Sequence, residues 1–250
     1  MAPGLSDIDW DAPWLAPWRG RGEPVARQVG QGKAVWQALA EVPSPVRFVP
    51  HTDLPPGQAY EDYIFHSKQC PTREGLHDFF NGLCWQTFPQ AKLRLNQLQA
   101  AEIARSGVGG IRGPVRDAIT LLDENGACLY APDTLWQALV DRQWGRLFGE
   151  LRPQWRQAQL LLFGHALLEK LVQPYKSITA HVWRMGTPLT SLAAVDTHLA
   201  GMFEPSWLAH KPFVPLPVLG VPGWWLPNEE SHFYDDATVF RPRRINPLQK

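Results

Sequence analysis

This 250-residue sequence contains few cysteines and carries no net charge. Its three cysteines, Cys70, Cys84 and Cys128, are an odd number without the short spacing of metal-binding motifs. Neither a disulfide framework nor a zinc ribbon is therefore predicted. Basic and acidic side chains number 24 each, so the formal net charge is zero. Binding to nucleic acid is not favoured, because proteins that bind it through charge usually carry a basic excess or patch.

A long hydrophobic run is also lacking. The most apolar segment, Leu160–Leu168, is bracketed by Arg156 and Glu169, and it is shorter than the roughly 20 apolar residues that a membrane-spanning helix needs. The first 18 residues contain three aspartates and no basic stretch followed by an apolar one, so they do not read as a secretory signal. These patterns predict a cytoplasmic protein with reduced thiols and no membrane association.

The common nucleotide and hydrolase motifs are missing as well. The sequence contains no phosphate-binding loop, no Rossmann fingerprint and no Gly-x-Ser-x-Gly elbow. The glycine-rich stretch Val108–Gly113 lacks the fingerprint spacing, and it follows a predicted helix instead of a strand. No nucleotide site is therefore predicted from motifs.

Proline, in contrast, is abundant, with 24 residues against a usual share of roughly 5%. The prolines alternate with tryptophan and leucine, which indicates rigid connections between packed elements and not disorder. Residues 1–55 are predicted to form a proline- and tryptophan-rich arm with one short helix around Ala34–Glu41. Residues 56–250 are predicted to form a single helical globular domain with an aromatic C-terminal extension.

The hydrophobic pattern predicts a mainly α fold with a small β-hairpin component (α+β). Asn125-Gly126 is the pair preferred in type I′ turns, so Ile119–Tyr130 is predicted to be a tight hairpin. Ile178–Trp183 alternates like a strand. The predicted helices are Arg73–Phe88, Pro89–Gly107, Asp133–Phe148, Gln154–Gln173 and Leu189–Phe203.

The candidate site consists of polar residues on helices that should be buried. His77 and Asn81 are four residues apart on the first buried helix, with Asp78 beside them. His165 and Glu169 are four apart on the apolar helix, so each pair shares a face. Leaving such groups buried without partners costs about 1–3 kcal/mol each. They must therefore meet partner side chains, solvent in a cleft, or a metal ion.

A metal-dependent or acid–base hydrolase is the predicted function if the two helices face each other. Imidazole and carboxylate groups are suitable ligands for Zn²⁺, Mn²⁺ or Fe²⁺, and they also serve in metal-free acid–base catalysis. The alternative is a structural network in which His165 pairs with Glu169 and His77 bonds a main-chain carbonyl. The catalytic candidates are His77, Asp78, Asn81, His165 and Glu169, and the candidate metal ligands are His77, His165, Glu169 and Asp117.

Two other functions stay open. Trp224 and Trp225 would suit the binding surface of a noncatalytic scaffold protein, although aromatic segments of this kind commonly pack across a helical body. Arg241, Arg243 and Arg244 would suit contacts with nucleic-acid phosphates. His66 and Asp62 would share a face if they lie on a helix, and a surface turn is the simpler interpretation.

Several segments form a recognisable combination, and they are Tyr60–His66, Pro71–Arg73, Leu76–Leu83, Leu95–Arg105, Arg112–Pro114, Gly164–Val172, Ile178–His181, Pro215–Trp225 and Phe233–Asp236. Together they resemble a bacterial family known as domain of unknown function 3025. The resemblance covers about residues 45–245. The family has no established activity, so the resemblance implies neither a reaction nor a cofactor.

Overall fold

The structure is a computed structural model that describes residues 3–107 and 113–243. It is 57% helical and 11% strand, so the predicted mainly α class with a small β component is confirmed. The helices are α1 (Ala16–Gly30), α2 (Val35–Ala40), α3 (Tyr60–Ser67), α4 (Leu76–Thr87), α5 (Pro89–Ser106), α6 (Pro114–Asn125), α7 (Asp133–Val140), α8 (His165–Lys170), α9 (Leu192–Met202) and α10 (Pro205–Ala209). The strands are β1 (Arg47–Pro50), β2 (Gln69–Thr72), β3 (Gly126–Tyr130), β4 (Gln159–Leu162), β5 (Thr179–Arg184) and β6 (Val214–Pro217).

The strands form two small sheets. β1 and β2 pair in parallel, while the larger sheet has the order β4-β3-β5-β6. In that sheet β3 runs antiparallel to β4 and parallel to β5, and β5 runs antiparallel to β6. The central strand β3 is buried from Gly126 to Leu129, as expected for a strand that is covered on both faces. The predicted strand Ile178–Trp183 is confirmed as β5.

The first 55 residues pack onto the rest of the chain through aromatic side chains. Trp14 and Trp18 are buried in the core cluster, and the ring of Trp18 lies 5.5 Å from that of Phe88. The short helix predicted around Ala34 is present as α2, but α1 was not predicted. Gly20, Gly22 and Pro24 give this segment a low intrinsic helix propensity, and burial of one apolar face outweighs it.

The predicted hairpin at Ile119–Tyr130 is wrong. Residues up to Asn125 belong to α6, and only Gly126–Tyr130 is a strand. The buried residues Val115, Ala118, Ile119 and Leu122 occupy positions i, i+3, i+4 and i+7, which is the pattern of one helix face and not of a strand. Asn125-Gly126 ends this helix instead of forming a two-residue turn.

The predicted helix Gln154–Gln173 is also wrong. The apolar run is divided into β4, a connection through Phe163 and Gly164, and the short helix α8. A short continuous apolar run does not distinguish a buried strand from a buried helix by periodicity. Among the described residues, no helix combines the length and the apolar character needed to cross a bilayer.

Candidate metal centre

Three helix ends meet at one place in the fold. His77 is the second residue of α4, His165 is the first residue of α8, and Glu124 is the residue before the last of α6. Helix α8 packs against both α4 and α6. Gly164, just before α8, lies so close to the backbone of Glu124 and Asn125 that an added Cβ would be 2.5 Å from their atoms. This close approach places His165 beside the end of α6.

The nitrogen atoms of the two imidazoles point towards each other, as predicted for helices that face each other. His77 Nε2 lies 3.1 Å from His165 Nε2, and Glu124 Oε1 lies 3.8 Å from His165 Nε2. The potential ligand atoms of these three residues all lie within 4.8 Å of one another. Tetrahedral zinc with ordinary Zn–N bonds would separate two imidazole nitrogens by about 3.3 Å. The spacing therefore fits a metal ion.

Glu169 contacts the other side of the His77 ring. Its Oε2 lies 2.8 Å from His77 Nδ1, so a neutral His77 that donates Nδ1–H to this carboxylate keeps its Nε2 lone pair free. Carboxylates commonly orient metal-binding imidazoles in this way. Glu169, a predicted ligand, thus lies on the Nδ1 side of His77, and Glu124 provides the carboxylate whose oxygen lies within 4.8 Å of the two histidine nitrogens.

His165 is held in its neutral form by burial. Its residue is only 4% exposed, and this burial lowers the pKa of the imidazole to about 4. Imidazole binds a metal ion in its neutral form, and the ring of His165 is neutral at neutral pH. Its Nδ1 is buried and has no hydrogen-bond partner among the described residues.

A buried ion pair lies beneath the two histidines. Lys92, 4% exposed, donates to Asn81 Oδ1 at 2.9 Å and to the carboxylate of Asp123. Burial opposes both charges, but Asp123 raises the pKa of Lys92 and Lys92 lowers the pKa of Asp123. Asn81 also donates to the hydroxyl of Tyr60 at 3.2 Å. The predicted site residue Asn81 therefore connects buried polar groups and is not among the converging ligand atoms.

Asp78 and Asp117 do not join the imidazoles. Asp78 is almost fully buried, and it accepts hydrogen bonds from the main-chain N–H of Arg73 (2.6 Å) and from its guanidinium (3.0 Å). Asp117 pairs with Lys211 at 3.4 Å. It precedes Glu124 by seven residues on α6, which is about 10 Å along a helix axis.

Glu124 was missed in the sequence because of the hairpin prediction. A hairpin places Glu124 beside a solvated turn, whereas the last turn of α6 directs Asp123 and Glu124 to the two imidazoles. The helical spacing of the apolar residues in this segment was the signal that could have located it.

An open depression of about 550 Å³ lies beside the centre. His77 and Glu169 border it together with Arg73, Glu74 and Gly75. The side chain of His77 is 38% exposed. The centre is therefore accessible from solvent on the His77 side and closed on the His165 side.

The C-terminal aromatic residues Trp224 and Trp225 are partly buried and pack against the core. Trp224 lies 6.2 Å from Trp14, and Trp225 lies edge-on to the buried Phe233 at 5.9 Å. Trp224 also borders a second depression of about 750 Å³. Binding of a partner at this surface stays a prediction.

Arg243 and His66 also have partners. Arg243 pairs with Asp141 at 2.8 Å, while Arg244 lies outside the described residues. His66 lies on the exposed face of α3, and its Nδ1 is 2.9 Å from the main-chain oxygen of Asp62 and 3.3 Å from the Asp62 carboxylate. This pair is a helical, solvent-exposed histidine–carboxylate contact.

Comparison with known families identifies most of the chain. A family model described as "Protein of unknown function (DUF3025)" matches residues 46–244, a range that includes the two histidines, Glu124 and Glu169. No curated protein and no solved structure matches the chain. The match confirms the resemblance that was predicted from the sequence, and the chain belongs to the DUF3025 family.

Proposed function

We propose that the protein is a metal-dependent hydrolase whose divalent cation is bound by His77 Nε2, His165 Nε2 and the carboxylate of Glu124. The observation that carries the proposal is the 3.1 Å separation of the two Nε2 atoms with the Glu124 carboxylate beside them. Two imidazoles and one carboxylate form a common catalytic ligand set for zinc, and they also suit iron and manganese. Zn²⁺, Mn²⁺ and Fe²⁺ are therefore the candidate cations.

Three protein ligands leave a coordination position for water. A zinc ion held by these three residues would lower the pKa of such a water to about 7 and so supply a hydroxide nucleophile at neutral pH. A substrate with a carbonyl or phosphoryl group would reach this position from the exposed side of the centre, where the side chains of His77 and Glu124 are 38% and 34% exposed. Glu169 would hold the His77 ring in place through its hydrogen bond to Nδ1.

Metal-free acid–base catalysis is less well supported by the geometry. A general base must reach the proton of a bound substrate or water. The buried His165 instead directs Nε2 at another imidazole. Without a cation, the two facing Nε2 atoms can form only one hydrogen bond, in which one nitrogen donates and the other accepts. A cation between them would be coordinated by the lone pairs of both nitrogens.

Metal content and metal-dependent hydrolysis test the proposal together. We expect the purified protein to contain close to one equivalent of Zn, Mn or Fe by elemental analysis. We expect it to hydrolyse at least one member of a panel of p-nitrophenyl carboxylate and phosphate esters. Chelation should abolish this activity, and re-addition of the cation should restore it. Substitutions His77→Ala, His165→Ala and Glu124→Ala should each weaken zinc binding by about 100-fold or more.

The matched control is His66→Ala, which removes a histidine from an exposed carboxylate contact. It should leave the metal content and the hydrolysis unchanged. A folded wild-type protein that contains no metal and takes up none from Zn²⁺, Mn²⁺ or Fe²⁺ solutions would refute the metal centre. Stoichiometric metal without hydrolysis of any ester in the panel would count against the hydrolase assignment alone.

A cytoplasmic location is part of the same proposal. Cys70, Cys84 and Cys128 are all free and buried, which suits a reducing compartment. Burial raises the pKa of Cys70 to about 12, so this thiol is not a nucleophile at neutral pH.

A further inference from the structure

We propose that metal binding moves the proton of His165 from Nε2 to Nδ1, and that Asp123 is a positioning residue which accepts a hydrogen bond from the new Nδ1–H. This inference rests on the proposed metal centre and assigns a role to the buried Lys92–Asp123 pair. The pair lies at the end of α6, directly before the proposed ligand Glu124. No other part of the proposed mechanism uses it.

The hydrogen bonds of His77 fix the tautomer of His165 in the metal-free protein. Glu169 accepts from Nδ1 of His77, so the Nε2 atom of a neutral His77 is an acceptor. The nitrogen that faces it at 3.1 Å, His165 Nε2, must then carry the proton. The opposite nitrogen, His165 Nδ1, is consequently unprotonated, and no acceptor for an N–H at this position lies within hydrogen-bond range among the described residues.

A cation at the centre requires the other tautomer. Both Nε2 lone pairs would then point to the metal, so His165 Nε2 would lose its proton and Nδ1 would gain one by exchange with water. The net number of protons on the ring is unchanged, and the imidazole is neutral before and after the exchange. A buried N–H without an acceptor costs about 1–3 kcal/mol, and the new Nδ1–H therefore needs an acceptor close by.

Asp123 is the side chain placed to accept a hydrogen bond from this Nδ1–H. Its Oδ2 lies 3.7 Å from His165 Nδ1, about 0.8 Å more than an ordinary N–H···O distance of about 2.9 Å. Its other oxygen accepts from Lys92, which keeps the carboxylate charged although it is largely removed from solvent. The main-chain carbonyl of Asp123 also faces the imidazole, so a test must separate the carboxylate from the main chain.

The test measures tautomers and zinc affinity. In mildly alkaline buffer, where ordinary imidazoles are neutral, two-bond ¹H–¹⁵N correlation spectra of histidine-labelled protein report which nitrogen carries the proton. We expect His165 to be the Nε2–H form without metal and the Nδ1–H form with Zn²⁺. His66 is the internal control, and its spectrum should not respond to zinc.

Two double variants isolate the carboxylate, because Asp123→Ala alone would leave the Lys92 charge unpaired. Lys92→Met/Asp123→Ala removes the acceptor, and we expect it to weaken Zn²⁺ binding by about 10–100-fold. Lys92→Met/Asp123→Asn keeps a carbonyl oxygen that can accept, so zinc binding should fall by less than about threefold relative to Lys92→Met. Folding of each variant is verified by circular dichroism.

The outcomes distinguish this inference from the proposed function. If the wild-type protein binds no metal, the metal centre itself is refuted. If it binds zinc and the two double variants bind equally well, the main chain suffices as the acceptor and the role of Asp123 is overturned. A His165 ring that is already Nδ1–H without metal would overturn the tautomer switch.

Discussion

Gly164→Ala is expected to lower the free energy of unfolding by about 3 kcal/mol and to weaken metal binding. An added Cβ would lie 2.5 Å from the main-chain carbonyl carbon and oxygen of Glu124 and from the main-chain nitrogen of Asn125. Backbone atoms cannot move aside as a flexible side chain can, and overpacking of this kind typically costs about 1–3 kcal/mol or more. To accommodate the methyl group, α8 must move away from the end of α6.

That movement would separate His165 from Glu124, and displacements of about 1 Å are enough to spoil a metal site. We therefore expect zinc affinity to fall by at least about tenfold, as measured by competition with a chromogenic chelator, with stability measured by urea unfolding. The matched control is Gly201→Ala on α9, where an added Cβ meets nothing within 4 Å. It should be neutral or stabilising by up to about 1 kcal/mol. Equal behaviour of the two variants would contradict the close contact between α8 and α6.

Lys92→Met is expected to destabilise the protein by about 3 kcal/mol. The Lys92 side chain is 5% exposed and that of Asp123 is 20% exposed, so the substitution leaves a largely buried carboxylate without its cation. Removing one member of a buried ion pair typically costs about 3–5 kcal/mol, because the remaining charge is uncompensated. The lower end of this range applies, since Asp123 retains some contact with solvent.

The double variant Lys92→Met/Asp123→Asn should recover at least half of this loss, because it leaves no unpaired charge. Lys211→Met provides the matched control. It breaks the Lys211–Asp117 pair, whose side chains are 42% and 44% exposed, and should change the free energy of unfolding by no more than about 0.5 kcal/mol. Urea denaturation of the four proteins measures these values. If Lys92→Met were as stable as Lys211→Met, the conclusion that Lys92 compensates the buried charge of Asp123 would be contradicted.

The sequence located the two histidines because both lie on apolar helices, where a polar side chain is conspicuous. The predicted i, i+4 spacing of His165 and Glu169 on one helix is also correct, although the long helix predicted around them is in fact β4 followed by α8. The six residues of α8 are enough to include both side chains. Tertiary packing determines how α4 and α8 lie relative to each other. From the sequence we could therefore predict the site only on the condition that the two helices face each other.

The third ligand could not be predicted once Asn125-Gly126 was interpreted as a turn. Local turn preference competed with the helical spacing of Val115, Ala118 and Leu122, and burial of that apolar face decided the outcome. Asp117, which was chosen as a further acid to complete the site, pairs with Lys211 instead. Lys92 was not predicted either, because a lysine on an amphipathic helix is ordinarily solvated; only its contacts with Asp123 and Asn81 show why it is buried.

X-ray absorption at the zinc edge of the zinc-loaded protein tests the centre most directly. The geometry predicts scattering from two imidazole rings, with nitrogen and oxygen ligands at about 2.0–2.2 Å, and from one ring fewer in His165→Ala. A zinc shell without imidazole scattering, or an identical shell in His165→Ala, would contradict coordination by the facing histidines.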